Sequence, residues 1–316
     1  MLIDVIIPNW NGKRHLQDCL DSLRRQIYQS FRVIIVDNGS TDNSVEFIRR
    51  HYPEVTLIAL TENKGFAGGV NEGIRASDGE LIFLLNNDTV VDPNCLKELD
   101  HAASKYPQIG FFATKMVFRN SVGVLNAAGD SFGIDGQARN IGIREFDDGR
   151  YDEVAEVFGA CAGAALYRKS FFQDVGLFDE DFFLILEDVD LDFRGQLKGH
   201  RCYYIPTAVV HHVHSASIVR HSPLQIYHGT RNDLYVLAKN MPAVLLLKYC
   251  PNIFRQRCRM LMDSIFQGRT GSWIKAELTF LLNFCPMMFK RLRIQREKRV
   301  SRTHIENILL NPDVGG

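Results

Sequence analysis

Three observations predict an α/β chain built on a largely parallel sheet. Over the first hundred residues, apolar β-branched runs alternate with segments whose apolar residues recur at helical spacing. The runs are continuous rather than alternating, as in strands covered on both faces. Each run ends in a polar cluster, and strands that alternate with helices give parallel pairing with right-handed crossovers.

The elements follow in order. Ile3–Pro8 reads as the first strand, and Asn11-Gly12 punctuates it. Leu16, Leu20, Leu23 and Ile27 then mark a helix. Phe31–Val36 is the second strand, ending at Asp37. Ser40-Thr-Asp-Asn43 can cap a helix that carries Val45, Phe47 and Ile48. Val55–Leu60 is the third strand. Gly65–Gly69 reads as a loop before a short helix through Ile74, and Glu80–Leu85 is the fourth strand. From Ile109 the rhythm changes. Gly110–Phe118, Asn126–Phe132 and Val157–Tyr167 read as strands, and the polar stretch 135–153 reads as a flap. Glu187–Lys198 is a helix ended by Gly199. Arg201–Ile205 is a last strand stopped by Pro206, and beyond about residue 220 the pattern is helical and basic.

Composition narrows the function classes. The 316 residues are 46% apolar, enough for a sizeable core, and their formal net charge is zero. A neutral chain is not one built to coat nucleic acid. Seven cysteines without a Cys-x-x-Cys pair suggest reduced thiols in a cytoplasmic protein, most of them small core residues. The N-terminus lacks the basic region and cleavage site of a signal peptide, so it reads as a strand. No apolar run reaches the roughly 20 residues that span a bilayer.

Five clusters fall at strand ends or in the loops beyond them: Pro8-Asn-Trp-Asn11, Asp37-Asn-Gly-Ser-Thr-Asp42, Asn63-Lys-Gly-Phe-Ala-Gly-Gly-Val-Asn71, Asn86-Asn-Asp88, and Glu187-Asp-Val-Asp190 with His211, His212 and His214 downstream. Ligands of parallel sheets sit beyond the carboxyl ends of the strands. A carboxylate there, such as Asp88, can hold a divalent metal and through it a phosphate. Asn86-Asn87-Asp88-Thr89 also has the composition of a plain turn. Trp10 reads either as a core ring or as part of its cluster. The glycines lack the dinucleotide spacing and do not follow the first strand.

Taken together in this order, Pro8-Asn-Trp-Asn, Asp37-Asn-Gly-Ser-Thr-Asp, Asn63 to Asn71, Leu85-Asn-Asn-Asp-Thr and Phe178-Asp-Glu-Asp-Phe-Phe-Leu-Ile-Leu-Glu-Asp-Val-Asp-Leu resemble family 2 glycosyltransferases, nearest to a bacterial rhamnosyltransferase-like branch. The resemblance covers residues 3–217. It implies a GT-A fold, with a Rossmann-like nucleotide-binding half fused to an acceptor-binding half around a mixed sheet. It also implies transfer of a sugar from a nucleoside-diphosphate sugar, dTDP-rhamnose being the first donor to consider, with inversion.

The family's roles map onto this chain by position. Pro8, Asn9 and Asp37 match nucleoside contacts. Asn63, Gly68 and Asn71 match the loop near the ribose and diphosphate, and Asn87 belongs to the same donor site. Asn86 and Asp88 occupy the first and third positions of the Asp-x-Asp motif, and Asn86 departs from it. That leaves one carboxylate for Mg2+ or Mn2+, with the diphosphate and water completing the shell. Asp188 matches the general base, with Glu187 beside it. The other reading of this acidic run is a solvated helix face with Asp190 paired to Arg194. His212, five residues before Ser217, matches a histidine that reaches the metal or leaving group. A His-x-His zinc site with His214 is the other reading.

Residues 1–217 are expected to form the GT-A domain, and 218–316 a helical basic region. In the latter, Lys290, Arg291, Arg293, Arg296, Lys298, Arg299 and Arg302 lie beside Leu281, Phe284, Met287, Met288 and Phe289. Basic residues beside an apolar stripe suit an anionic lipid surface, giving an expectation of peripheral association with the inner face of the cell membrane. The acceptor would be a glycan or lipid-linked glycan, and nucleic acid is not expected as a partner. Two other functions fit the pattern less well: a non-catalytic sugar-nucleotide or glycan-binding protein of the same fold, and a nucleotidyltransferase, which needs a glycine-rich basic loop after the first strand.

Overall fold

The computed structural model describes residues 1–213 and 222–310. The N-terminal half runs β1 (Ile3–Asn9), α1 (Lys13–Arg24), β2 (Phe31–Asp37), α2 (Ser44–His51), β3 (Thr56–Ala59), α3 (Gly65–Ala76) and β4 (Leu81–Leu85). Next come β5 (Thr89–Val91), α4 (Cys95–Lys105), β6 (Phe111–Phe118), β7 (Leu125–Ala127), β8 (Asp130–Phe132), β9 (Ala138–Asn140), β10 (Ala155–Val157), β11 (Ala164–Arg168) and α5 (Lys169–Val175). A 3-10 turn, Glu180–Phe182, precedes α6 (Glu187–Lys198) and β12 (Cys202–His212). The remaining helices are α7 (Pro223–Asn240), α8 (Ala243–Phe266), α9 (Thr270–Leu282), α10 (Phe284–Glu297) and α11 (Arg302–Leu310).

One mixed sheet carries the molecule, in the order β10-β12-β6-β11-β4-β1-β2-β3. β3, β2, β1 and β4 are parallel neighbours, as the alternating pattern predicts. β11 is antiparallel to both β4 and β6 and joins the two halves. Side chains alternate across the strands. Ile3, Val5 and Ile7 pack with α1 and α4 on one face, whereas Ile6 packs with α3 on the other. A third core of Phe132, Phe158, Val189, Phe193, Tyr235 and Leu245 seats the later helices against α6. Ser222 starts α7, its Oγ accepting from the Gln225 amide at 3.2 Å with Pro223 in the first turn.

Several elements differ from their sequence reading. The glycine segment is not a loop, because α3 begins at Gly65. Gly65 has φ +74°, and a Cβ there would lie 2.3 Å from the Phe183 carbonyl oxygen, so glycine is required for a close approach rather than for flexibility. The run 126–132 is two short strands, and 157–167 divides into β10 and β11 around the Gly159–Gly163 loop. The polar stretch 135–153 contains β9, paired with β8. Pro206 does not stop β12, because the strand absorbs it at a register shift between Ile205 and Val209. Trp10 is 48% exposed, which removes its core reading. Cys19, Cys95 and Cys202 are buried and Cys161 partly so, but Cys250, Cys258 and Cys285 are exposed, so barely half are core residues.

Candidate active site

The carboxyl ends of β1, β2 and β4 converge. Asn9 Nδ2 donates to Asp37 Oδ2 at 2.8 Å, and Asn87 Nδ2 donates to Asn9 Oδ1 at 2.7 Å. Asp37 Oδ1 accepts from the Ser40 amide at 2.9 Å. A Cβ on Gly12 would lie 2.0 Å from Asn87 Nδ2, so this chain turn must be bare for the Asn9–Asn87 pair to form. All three side chains are buried. Pro8 lies directly ahead of them on β1, facing Val36 across the ladder.

Asn86-Asn87-Asp88 is both a turn and a strand end, so the two sequence readings are compatible. Asn87 and Asp88 form the turn between β4 and β5, closed by Thr89 Oγ1 donating to the Asn86 carbonyl at 2.6 Å. The continuation of β12 past Pro206 then has a consequence. Its antiparallel pairing with β5 sets His212 opposite Thr89, and the Val213 amide donates to the Asp88 carbonyl at 2.9 Å. His212 Nε2 therefore lies 3.3 Å from Asp88 Oδ1, while its Nδ1 contacts Asn126 Oδ1 at 2.9 Å. Two ligands on adjacent corners of an octahedral Mg2+ site stand about 3 Å apart for bonds near 2.1 Å. The oxygen–nitrogen pair thus fits one edge of such a site. Among the described residues, no group of three or more His, Cys, Asp or Glu side chains could hold a metal, so a cation here would need donors from its substrate. His214 and Ser217 lie outside the described residues.

The second half of the site is the start of α6. Asp188 is partly buried; its Oδ2 accepts from the Ala162 amide at 3.1 Å and its Oδ1 from the Val189 amide at 2.8 Å. One turn on, Asp192 Oδ2 accepts from the Ala160 amide at 2.8 Å. The Gly159–Gly163 loop is thereby clamped onto α6, and its Gly163 carbonyl accepts from the Asn86 amide at 2.9 Å. This loop physically joins the Asn86–Asp88 turn to Asp188.

The acidic run is not a solvated face. Glu187, Asp190 and Asp192 are buried, and Glu187 Oε2 and Asp192 Oδ1 have no hydrogen-bond partner among the described residues. Burial raises the proton affinity of Asp188 against the pull of the Ala162 and Val189 amides. Burial first, and the Asp188 charge second, push Glu187, Asp192 and Asp130 well above the usual carboxylate range. Asp190 differs. Burial works to raise it, but Lys239 at 2.7 Å and Arg194 at 2.9 Å hold it below the ordinary value. The expected Asp190–Arg194 pair exists, but in the interior.

The segment leading into α6 is strained. Phe183, Ile185 and Leu186 have φ of +64°, +69° and +66°. Left-handed backbone in bulky residues costs about 1–3 kcal/mol each and persists only where the surroundings impose it.

Two of the expected donor-site residues, Asn63 and Asn71, also bond the framework. Asn63 Oδ1 accepts from the Gly65 amide at 2.8 Å and from Asn38 Nδ2 at 3.0 Å, at the start of α3. Asn71 is buried and exchanges 3.0 Å hydrogen bonds with the Phe178 backbone, binding α3 to the acidic segment. A Cβ on Gly68 would lie 2.6 Å from the Lys64 Cβ. Sequence reading missed Asp130, Gly12 and the 159–163 loop. The cue for the loop was its composition, Gly-Ala-Cys-Ala-Gly, which suits a close backbone approach better than a strand interior.

Residues 4–176 match the Glycosyl transferase family 2 model. The chain belongs to that family. An N-acetylglucosaminyl-diphospho-decaprenol L-rhamnosyltransferase of Mycobacterium tuberculosis is 28% identical over 253 residues, covering 72% of this chain and 81% of the relative. The chain spans about half the length (48%) of the first curated relatives it matches. Among solved structures, Staphylococcus aureus TarS 1–349 in complex with UDP-GlcNAc aligns with TM-score 0.60 at 16% identity, over 94% of this chain and 90% of that one. A Pyrobaculum calidifontis mannosyltransferase in complex with GDP-Man and Mn2+ aligns with TM-score 0.54 at 17% identity, over 93% and 85%. These likenesses place the family 2 glycosyltransferase in the GT-A fold. Its family match ends at residue 176, ahead of α6, so the fold and not the family match carries Asp188 into the site.

Proposed function

We propose that this protein is an inverting, metal-assisted glycosyltransferase that moves a sugar from a nucleoside-diphosphate donor to a glycan or lipid-linked glycan. The observation that carries the reading is the joining of two units. The Asn86–Asp88 turn and the Asp188 carboxylate are coupled through one loop, at the edge where β1, β2 and β4 end. Pro8, Asn9 and Asp37 would line the base and ribose, with Asn87 beside them. Asp88 and His212 would hold Mg2+ or Mn2+. Bound there, the cation would neutralise charge on the departing diphosphate. Asp188 accepts the proton of the acceptor hydroxyl as that oxygen bonds the anomeric carbon and the carbon–oxygen bond to the diphosphate breaks on the opposite face. Burial strengthens Asp188 as a base. dTDP-rhamnose is the first donor to test, and UDP- and GDP-sugars complete the panel.

Incubation of the protein with each donor and a glycan acceptor, with and without Mn2+, should release free nucleoside diphosphate. Asp88→Ala should weaken Mn2+-dependent nucleoside diphosphate binding at least about tenfold and abolish release. No release from any donor, with intact nucleotide binding, would favour a binding protein of the same fold. Pyrophosphate as the product would favour a nucleotidyltransferase.

A further inference from the structure

Arg231-Asn232 lies in the middle of α7, outside the residues that match the family and outside the proposed chemistry. Both side chains are buried. Asn232 Nδ2 faces three carbonyls of the segment that leads into α6: Phe182 at 3.0 Å, Leu184 at 2.9 Å and Ile185 at 2.6 Å. Its Oδ1 accepts from Arg231 Nε at 2.9 Å, which fixes the amide with its nitrogen toward the segment. Arg231 Nη2 donates to the Asp181 and Phe182 carbonyls at 3.0 and 2.9 Å. It also donates to His228 Nδ1 at 3.2 Å, and burial together with Arg231 keeps that imidazole neutral, its pKa lowered to about 4.

Those carbonyls flank and include the left-handed residues Phe183, Ile185 and Leu186. Isolated left-handed residues build no helix or sheet ladder across 181–185, so the Asp181, Leu184 and Ile185 carbonyls take their donors from α7. Two turns farther along α7, Lys239 bonds Asp179 and Asp190, and Asn240 Nδ2 donates to Asp190 Oδ1 at 2.8 Å. One helix therefore grips the segment before Asp188 and the residue two places after it.

We propose that Asn232, oriented by Arg231, is a positioning residue: it holds the strained Phe182–Leu186 backbone so that α6 presents Asp188 to the acceptor hydroxyl. The first helix of the C-terminal region is then part of the reaction machinery. This rests on Asp188 being the base, as proposed above.

The test compares Asn232→Ala and Arg231→Lys with the wild type, using the donor panel, nucleoside diphosphate titration and amide hydrogen exchange. Arg231→Lys keeps the charge but loses the Nε contact that orients Asn232. Expected for Asn232→Ala are a fall in kcat of about 100-fold, donor KM and nucleoside diphosphate affinity within about twofold, and faster exchange across residues 184–190. Arg231→Lys should show the same pattern at smaller amplitude. Unchanged kcat in a folded Asn232→Ala would overturn the proposal. So would parallel loss of kcat and nucleotide binding, or failure of both variants to fold, since each marks a general structural role. If the wild type turns over no donor, the functional reading fails, and the exchange result alone decides whether Asn232 sets the segment.

Discussion

Asp4 shows how one residue can be decisive and yet unremarkable in the sequence. It sits in the middle of β1, wholly buried, among apolar neighbours. Its oxygens accept from Arg32 Nε and Nη2, both at 2.8 Å, from Ser77 Oγ at 2.7 Å, and from the Asp78 and Gly79 amides at 2.9 and 2.7 Å. It ties β1 to β2 and to the turn before β4. Burial opposes its ionisation, but Arg32, Ser77 and Gly79 outweigh burial and hold its pKa below the ordinary carboxylate value. A lowered folded-state pKa contributes stability that is present above the unfolded value, near 4, and is lost as pH falls through the folded one. Asp4→Asn should therefore cost about 1–3 kcal/mol at pH 7, with the gap to wild type closing in the acid range. Urea unfolding at pH 7 and pH 3 measures it, and an equal gap at both would contradict the assignment. A strand pattern reads Asp4 only as a break in hydrophobicity. Asp88 and Asp188 were legible because they end or begin elements. Asp130 and Asp192 were not, because their burial depends on contacts distant in sequence.

At the scale of elements, alternation and spacing made the parallel half and α6 readable, since each is set by local pattern. Where reading failed, tertiary contact had overridden local chemistry. Glycines at 65 and 69 lie in a helix where Phe183 and Asn38 crowd it. β12 passes Pro206 because a bulge absorbs the missing donor, and that continuation delivers His212 to Asp88. The basic cluster also changes meaning. Lys290 pairs with Asp179 and Asp181, Arg299 with Asp174, and Arg291 donates to the Ala238 and Met241 carbonyls. Met287 is buried, but Leu281, Phe284 and Phe289 of the expected stripe are exposed. The exposed apolar surface lies more widely over α8, α9 and α10: Leu247 at 79%, Phe266 at 81%, Leu282 at 84% and Phe289 at 73% exposure. Twelve Lys and Arg against three Asp and Glu give residues 243–300 a formal charge of +9, in a chain whose total is zero. No helix among the described residues is long and apolar enough to cross a membrane. Apolar side chains set among positive charge complement an anionic bilayer surface, where each basic residue contributes about 1 kcal/mol. We therefore propose that these helices dock on anionic lipid. The protein should co-sediment with phosphatidylglycerol-containing vesicles and not with pure phosphatidylcholine, and Leu282→Ser with Phe289→Ser should weaken capture about tenfold or more. Equal binding to both lipids, or dimerisation through this face without lipid, would contradict it.

For the whole molecule, the sheet and the helical region converge on one carboxylate. The parallel half brings Asn9, Asp37, Asn87 and Asp88 to one edge. The 159–163 loop links that edge to α6, and α7 grips α6 from behind. The family pattern made the parallel half readable from sequence, whereas the grip of α7 depends on packing that no linear motif states. The central claim is that Asp188 accepts the acceptor proton, and single-turnover release of nucleoside diphosphate by Asp188→Asn tests it most directly, at nucleotide occupancy verified equal to wild type. The account predicts release slowed about 100- to 10,000-fold with nucleotide affinity within about twofold. Release at the wild-type rate by the Asp188→Asn variant would contradict it.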